Sequence, residues 1–514
     1  IVALLLMAQF VSGQHPADNF SHLIDSNQLR QKVYDLAGTE FEGRNTAEPG
    51  QKKAAAYIAN FFSQIGLAPI VHQSYYQSHA LSKKISKKKA ILINGKEFIF
   101  LKDYFYIPGF NDTTIVLDQI LFCGYGIDSI GLYNDFEKIT IEDKAILIFD
   151  TEPHNDFGKS KITKSWNQWS IWSNSYNYKL NKIAEKKPAA VFIITDVTRM
   201  IDSLNYTDVV PRDIYHANIS PVPFIYISYE MAQAFFGEGQ EHELEALINR
   251  CNKLKPQSQN VVVNSTVRLF TNTETLTGDN VIGYLEGSDA KEEVIFVTAH
   301  YDHLGANDTT WFPGADDNAT GTAAVMQIAK TMTTAALAGY QPRRSIVFMC
   351  VSGEERGLLG SKYYVEHPII PLENTMCNLN IDMIGRTDPR HDSIDISNYV
   401  YIIGSDKLST DLHYTSEAAN KRSAKLFLDY KYNATDDPNR YYYRSDHYNF
   451  IKNGIPAIFY FSGVHADYHK PTDTAEKINY TLLQKRTALV YHTLWDLANK
   501  KDALIIDVAT EPEE

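Results

Sequence analysis

The sequence predicts an α/β protein built on a doubly wound, mostly parallel sheet that is flanked by helices and interrupted by a small β-rich domain. After Asn264, short apolar runs rich in β-branched residues alternate with segments of helical periodicity, which is typical of a parallel sheet covered on both faces. From Asp112 to about 262, strand-like runs follow one another with few helical stretches between them. A chain of 514 residues, of which 44% are hydrophobic and 22% charged, has room for two or three domains.

The N-terminal part is predicted to be helical. Apolar residues recur at helical spacing between Ser26 and Gly66, and the turn-rich "EGRNTAEPG" divides this stretch into two helices. Before them, an apolar run followed by Ser12 and Gly13 has the pattern of a secretory signal. We therefore interpret residues 1–13 as a signal remnant and expect a secreted or periplasmic protein without stable membrane insertion after cleavage.

The remaining elements follow from the same patterns. In the β-rich region the predicted strands are "TTIVLDQILFCGYG", "KAILIFD", "AAVFIITD" and "VPFIYIS", with a helix at "YKLNKIAEKKP". Beyond Asn264 the predicted strands are "VIGYLEG", "EEVIFVTAH", "RSIVFMCVS", "MCNLNIDMIG", "YVYIIGS" and "PAIFYFSG". Helices are expected at 321–337, 358–366 and 411–425, because the apolar residues there follow a period near 3.6.

Charge and cysteine content exclude two classes of protein. The formal net charge of −13 argues against a general nucleic-acid binder, which carries a basic face, so we expect no nucleic-acid partner. The four cysteines are too few for a disulfide scaffold and lack the close spacing of a zinc–thiolate site.

Acidic and imidazole side chains lie where the predicted strands end. "VTAHYDHLG" places His300 at one strand end, "CVSGEERGLLGS" places Glu354 and Glu355 just after another, and "NLNIDMIG" places Asp382 at a third. The carboxyl ends of parallel strands meet at one edge of the sheet, where such proteins form their sites. We therefore expect these side chains to lie close together.

Two further segments complete a possible metal site. "PGADDNATG" supplies Asp317 before a helix, and "YYYRSDHYNF" supplies His447 in a loop. Two bridged divalent ions need a carboxylate between them and about one carboxylate and one histidine each. The residues that meet this count are His300, Asp317, Glu355, Asp382 and His447. Glu354 then remains free as a general base, and Asp302 can accept the other ring N–H of His300.

Each piece also has a plain structural interpretation. Asp317 can cap a helix, the two glutamates can be charges in the first turn of a helix, and His447 can be a surface residue. The occurrence of all these elements in one order favours the metal site, and the mixed carboxylate and histidine set favours hydrolysis over a structural zinc.

The motifs resemble those of the M28 family of di-zinc metallopeptidases. The resemblance rests on "AHYDHLG", "GADDNATG", "SGEERGLLGS", "NIDMIGR" and "RSDHYNF", with "HADYHKPTDTAEKI" as a weaker final motif. It implies the zinc exopeptidase fold, with 14–70 as an N-terminal helical segment, 71–262 as an inserted protease-associated domain, and 263–514 as the catalytic peptidase domain. The Asp316–Asp317 peptide is implied to be cis.

The resemblance also implies a role for each matching residue. His300 and Asp382 would bind one zinc ion, Glu355 and His447 the other, and Asp317 would bridge both. Glu354 would be the general base and proton shuttle, and Asp302 the partner of His300. Further candidates for contact with substrate or oxyanion are Tyr443, Asp467, Tyr468 and His469.

These roles predict a secreted exopeptidase with two zinc ions per subunit, acting on peptides through a metal-activated water. We favour an aminopeptidase. The main alternative is a carboxypeptidase or dipeptidase, because Arg440 and Arg444 lie near His447 and an arginine cluster suits a C-terminal carboxylate. A glutaminyl cyclase on a related fold, which uses one zinc, and a receptor-like binding protein without catalysis are less favoured, since every predicted ligand is present.

Overall fold

The chain folds into two compact units, one formed by Thr277–Glu514 together with the chain up to Ala80, and the other by Leu81–Leu276. The sequence places the corresponding boundaries near residues 70 and 262. The computed structural model describes residues 15–86, 91–106, 113–129, 133–155, 157–166, 168–174, 176–203, 222–240, 242–256, 258–269, 271–306, 310–434 and 436–508. The predicted signal remnant at 1–13 lies outside these residues. No helix among them has the length and apolar character needed to cross a bilayer.

A mixed eight-stranded sheet forms the centre of the larger unit. In spatial order its strands are Tyr76–Ser86, Thr271–Leu285, Arg344–Val351, Ala290–His300, Thr375–Ile381, Ala457–Phe461, Tyr399–Ile403 and Phe427–Asp429. The four strands from Arg344–Val351 to Ala457–Phe461 run parallel, whereas Thr271–Leu285 and Tyr399–Ile403 pair antiparallel with the outer members of that group. The predicted fold class is confirmed, with antiparallel strands added on both flanks.

Helices cover both faces of this sheet. They span Asp18–Ser21, Ser26–Leu36, Pro49–Gln64, Gly321–Leu337, Leu359–Glu366, Pro389–Asp392, Thr410–Arg422, His447–Lys452 and Tyr480–Asn499. Every residue of Arg344–Val351 is buried. Its alternate side chains Ile346 and Phe348 enter one apolar core, and Val347 and Met349 enter another on the opposite face, because successive strand residues point to opposite sides. The predicted helices at 26–66, 321–337, 358–366 and 411–425 are confirmed to within a few residues at their ends.

The smaller unit contains its own eight-stranded sheet. Its strands are, in spatial order, Lys96–Phe98, Ile91–Ile93, Ser258–Leu269, Thr113–Cys123, Ala145–Phe149, Ala190–Ile194, Phe224–Ile227 and Tyr104–Tyr106. A separate pair is formed by Asp128–Ser129 and Tyr133–Asn134. The predicted strands and the predicted helix, Tyr176–Ala184, are present. The unit is more helical than expected, since Ile171–Asn174, Val197–Ser203, Tyr229–Ala234 and His242–Cys251 also form helices.

Candidate metal centre

The ends of three parallel strands bring the predicted acids and imidazole together. His300 is the last residue of its strand and pairs in register with Val351, so the segment carrying Glu354 leaves the sheet beside it. On the other side, Thr298 pairs with Asn380, and Asp382 follows that strand directly. The sequence-based expectation that these residues share one edge of the sheet agrees with this register.

The first group of side chains surrounds Nε2 of His300. This atom lies 3.2 Å from Asp382 Oδ1 and 3.4 Å from Asp317 Oδ1. The three side chains are buried, and their ligand atoms lie within 4.8 Å of one another. Asp382 is held by its second oxygen, Oδ2, which accepts a 2.7 Å hydrogen bond from the Ser445 hydroxyl. The group therefore presents one imidazole nitrogen and two carboxylate oxygens to a common point, a donor set suited to Zn²⁺.

The second group lies on the other oxygen of Asp317. Asp317 Oδ2 lies 3.1 Å from His469 Nε2, and that nitrogen lies 3.3 Å from Glu355 Oε2. His303 also belongs here, because its Nδ1 lies 2.8 Å from Glu355 Oε1 and 3.7 Å from Asp317 Oδ2. Asp317 thus directs one carboxylate oxygen to each group, which is the geometry of a bridging ligand.

Asp302 contacts His300 differently from the predicted way. The His300 Nδ1 lies 3.2 Å from the backbone oxygen of Asp302 and 3.8 Å from its Oδ1. Since a carbonyl oxygen can only accept, Nδ1 carries the proton, and Nε2 faces Asp382 and Asp317. The carboxylate of Asp302 instead accepts from the Thr46 hydroxyl at 2.8 Å and from the Glu354 backbone N–H at 3.2 Å. Asp302 therefore fixes the tautomer through its main chain and the Glu354 turn through its side chain.

A buried carboxylate holds the turn that presents Asp317. Asp473 Oδ2 accepts the backbone N–H groups of Asp316 and Asp317 at 3.0 and 3.2 Å. Asp316 Oδ1 accepts the backbone N–H of Gly385 at 2.6 Å, which ties this turn to the segment after Asp382. The cis peptide lies between Asp317 and Asn318 rather than between Asp316 and Asp317, so the implied position was one residue too early.

Arg44, in the N-terminal segment, donates hydrogen bonds to the loops that carry the site residues. This side chain is fully buried and donates from Nε to Tyr301 O, from Nη1 to Pro313 O and from Nη2 to Gly314 O, each at 2.8 Å. It also donates to Leu36 O. The arginine thereby joins the loop after His300 to the loop before Asp317, although it lies far from both in sequence.

His447 belongs to neither group of ligand atoms, so the structure does not bring this predicted metal ligand together with the others. It begins the short helix His447–Lys452, is fully buried, and packs its ring against Phe459 and Tyr442 with centroid separations of 4.9 and 5.9 Å. Burial lowers the pKa of His447 to about 3. The imidazoles that approach Asp317 and Glu355 are His303 and His469, of which the sequence suggests only His469, as a substrate contact.

A cleft opens above the two groups. It is lined by Asp317, Glu354, Asp382, Met383, Tyr441, Arg444, Phe459, Phe461, Val464, Tyr468 and His469. Of the other predicted substrate contacts, Asp467 forms ion pairs with Lys477 at 2.6 Å and with Arg386 at 3.2 Å. It does not line the cleft. Tyr443 is also absent from the lining and lies beneath the Arg440 guanidinium. Tyr468 does line the cleft, as expected, and Tyr441 takes the position expected of Tyr443.

The cluster carries a surplus of buried negative charge. Burial lowers the pKa of His300, but Asp382 and Glu354 raise it well above its usual range. Burial also lowers the pKa of His469, but Glu355 and Asp317 raise it to about 11. The pKa of Glu354 is raised well above its usual range, mainly by burial. His300 lowers this pKa, whereas Asp382 and Glu355 raise it further.

Such an arrangement calls for bound cations. Five carboxylates gather here around three imidazoles, namely Asp302, Asp317, Glu354, Glu355 and Asp382 around His300, His303 and His469. Buried charges are costly unless they are paired or bind a metal. Bound divalent ions would offset much of this charge, and the oxygen and nitrogen donors fit zinc.

Two contributors escaped sequence reasoning, and a third was assigned a different role. His303 lies three residues after His300 in "HYDH", and the repeated imidazole was the available signal. His469 stands in the weaker final motif, beside Tyr468. Arg44 gave no signal, because nothing in "EGRNT" distinguishes a buried arginine from an exposed one.

A doubly wound sheet with a carboxylate–imidazole cluster at its edge is the arrangement that the sequence motifs predict. Residues 280–494 match the model of Peptidase family M28. The predicted resemblance is confirmed.

Similar proteins agree with this assignment. Aminopeptidase YwaD from Bacillus subtilis is 28% identical over 243 residues, which cover 46% of this chain and 47% of that protein. Leucine aminopeptidase 2 from Arthroderma otae is 28% identical over 238 residues, covering 42% of this chain and 44% of that protein. The chain thus matches about half the length of these curated relatives.

Solved structures share the fold over nearly the whole chain. An aminopeptidase from Aneurinibacillus sp. strain AM-1 superposes with a TM-score of 0.57 at 18% identity, covering 97% of this chain and 100% of that one. A zinc aminopeptidase from Bacillus subtilis superposes with a TM-score of 0.53 at 19% identity, covering 94% and 98%. At this level of identity the likeness concerns the fold alone.

Proposed function

We propose that the protein is a secreted, zinc-dependent exopeptidase that removes N-terminal residues from peptides. The observation that carries the proposal is the position of Asp317, whose two carboxylate oxygens face two separate groups of ligand atoms at the floor of one cleft. A single structural ion would not require such a division. The match to the M28 family model and the names of the similar proteins favour an aminopeptidase.

The proposed ligands follow from the distances. His300 and Asp382 would hold one zinc ion, Glu355 and His469 the other, and Asp317 would lie between them. When bound, the ions would polarise a water molecule and the scissile carbonyl group. With its proton on Nδ1, the neutral imidazole of His300 would present the Nε2 lone pair to the ion.

Glu354 is the proposed general base. It lines the cleft, its Oε2 lies 4.0 Å from His300 Nε2, and neither of the two groups of ligand atoms includes it. Its carboxylate would take a proton from the attacking water and deliver it to the departing amine nitrogen. The raised pKa of Glu354 favours holding that proton between the two steps. Tyr468, which lines the cleft beside His469, is the proposed donor to the developing oxyanion.

One observation favours the carboxypeptidase alternative. Arg444 lines the cleft, where a guanidinium can bind a C-terminal carboxylate in bidentate fashion. Its Nη2 lies 3.4 Å from the Tyr468 hydroxyl and its guanidinium rests over the Tyr441 ring. Both of these contacts are with tyrosine side chains, and neither pairs Arg444 with a carboxylate.

Hydrolysis of a substrate panel tests the proposal. We expect the purified protein to cleave aminoacyl-arylamides with a free amine, to lose this activity on treatment with a chelator, and to regain it when zinc is restored. The variant Arg444→Ala should then change kcat/KM by less than about tenfold on these substrates, which lack a C-terminal carboxylate. Cleavage of N-blocked dipeptides alone, abolished in Arg444→Ala, would instead establish a carboxypeptidase. Zinc binding without cleavage of either class would contradict exopeptidase function.

The smaller unit is proposed to be the protease-associated insert. Support comes from "KLNKIAEKKPAAVFIITD", which forms the helix Tyr176–Ala184 followed by the buried strand Ala190–Ile194, and from "PVPFIYIS", which forms the parallel neighbour Phe224–Ile227. Export from the cell is proposed on the apolar run before Gly13.

A further inference from the structure

His303 is an imidazole at the metal centre that the proposed ligand set leaves without a role. It lies just beyond the end of the strand Ala290–His300, and its side chain is fully buried. Its backbone N–H donates to Arg44 O at 3.1 Å. Gly314 packs against the ring so closely that a Cβ there would lie 2.5 Å from the ring atom Cγ. The ring is therefore fixed in one place by its own backbone and by a neighbour that must be glycine.

The contacts of this ring are directed at one oxygen of Glu355. Nδ1 lies 2.8 Å from Glu355 Oε1, which is a hydrogen-bond distance. A carboxylate oxygen can only accept, so His303 Nδ1 carries the proton. The other oxygen, Oε2, lies 3.3 Å from His469 Nε2. The two oxygens of Glu355 thus have different partners, His303 on one side and the proposed zinc ligand His469 on the other.

These contacts distinguish the proposed zinc ligand His469 from His303, which contacts a ligand. A zinc ligand faces the other donor atoms that share its ion, whereas His303 Nδ1 is at hydrogen-bond distance from Glu355 Oε1 alone and lies 3.7 Å from Asp317 Oδ2. Its Nε2 makes no hydrogen bond to the described residues, and both of its carboxylate contacts there are made by Nδ1. By contrast, His469 directs its Nε2 at both Asp317 and Glu355.

We propose that His303 is a positioning residue for Glu355, holding Oε1 by a hydrogen bond so that Oε2 alone faces the second ion. This inference rests on the proposed zinc centre and adds to it a residue outside the ligand set. Hydrogen bonds to a ligating carboxylate fix its orientation, and their loss commonly lowers metal affinity by about 10–100-fold. The alternative, in which His303 is itself a ligand with Asp317 and Glu355, makes a different prediction.

Substitution of His303 by asparagine separates the two possibilities. The side-chain NH₂ of asparagine falls near the position of imidazole Nδ1 and can donate to Oε1, but an amide nitrogen has no free lone pair for zinc. We expect His303→Asn to keep both zinc affinities within about threefold of the parent protein. His303→Ala should weaken binding of one ion by about 10–100-fold and leave the other unchanged. The measurement is titration of the metal-free protein against a chromophoric zinc chelator, with no substrate present.

Three controls make the comparison decisive. His303→Gln fills more of the ring volume than alanine but carries its NH₂ one carbon further out, so it should behave like His303→Ala without leaving as large a cavity. His367→Asn and His367→Ala change an exposed histidine of the same unit and should leave both affinities unchanged. Substitution of Co²⁺ for zinc should give the same visible spectrum in His303→Asn as in the parent, because the ligand set is the same.

Two results would overturn the inference. If His303→Asn loses zinc as severely as His303→Ala and shifts the Co²⁺ spectrum, His303 is a ligand. If all three His303 variants keep both affinities, or if the parent binds fewer than two ions, His303 does not position Glu355 for a second ion. The His303 test does not depend on peptidase activity, because it measures zinc affinity. A parent protein that binds two ions but cleaves no peptide would contradict the proposed function and would not affect the conclusion about His303.

Discussion

Replacement of Glu354 by glutamine is expected to lower kcat by about 10²–10⁴-fold, the usual contribution of a positioned general base. The amide keeps the size of the side chain but cannot take a proton from water. Because Glu354 lies outside both groups of ligand atoms, zinc content and thermal stability should stay close to those of the parent. The measurement combines steady-state kinetics on an aminoacyl-arylamide with zinc content by mass spectrometry.

The matched control is Glu366→Gln, another glutamate of the same unit. Glu366 is about half exposed and lies 3.9 Å from Lys362, its ion-pair partner. This substitution should leave kcat unchanged, since exposed ion pairs contribute little. If Glu354→Gln retains more than about a tenth of the parent rate, or if it loses zinc as well as activity, Glu354 is not the proton shuttle.

Replacement of His469 by alanine is expected to remove one of two zinc ions, with a loss of affinity greater than about 100-fold, because a ligand matters more than the groups that support it. The other ion should remain, since its proposed ligands are His300, Asp382 and the opposite oxygen of Asp317. The expected readout is a fall in zinc stoichiometry from two to one per chain, together with loss of peptidase activity.

His447→Phe provides the comparison that decides between the two histidines. The ring of His447 packs against Phe459 and Tyr442, so phenylalanine suits this environment. This variant should keep both ions. If His447→Phe instead loses an ion while His469→Ala keeps both, then the assignment suggested by the sequence was right and the one drawn from the geometry is wrong.

The sequence predicted the part of the site that depends on strand ends. His300, Glu354, Glu355 and Asp382 each follow a buried apolar run, and parallel strands leave their carboxyl ends at one edge. The position of Asp317 before the helix Gly321–Leu337 is local in the same way. These positions follow from periodicity and topology and need no knowledge of loop paths.

The last histidine could not be assigned in this way, because the folding back of a loop depends on tertiary packing. A local signal did exist against His447. His447, Phe450 and Ile451 are spaced as i, i+3 and i+4, which predicts one buried face of a helix, and all three are buried in His447–Lys452. Arg44 was missed for a related reason, since its partners are backbone carbonyl groups distant in sequence.

In the smaller unit, apolar runs revealed the strands but four helices were overlooked. The helix His242–Cys251 buries Leu244, Leu247 and Cys251, which are spaced at helical intervals, so its periodicity was readable. Tyr229–Ala234 is too short for a periodic pattern to emerge. The longer helix, His242–Cys251, could therefore have been predicted, whereas the shorter one, Tyr229–Ala234, could not.

Diffraction from zinc-soaked crystals at the zinc absorption edge tests the central claim most directly. We predict two anomalous peaks, one between His300 and Asp382 on the Oδ1 side of Asp317, and one between Glu355 and His469 on its Oδ2 side. A single peak, or peaks only at another buried histidine such as His391, which lies between Asp388 and Asp429, would contradict the di-zinc centre.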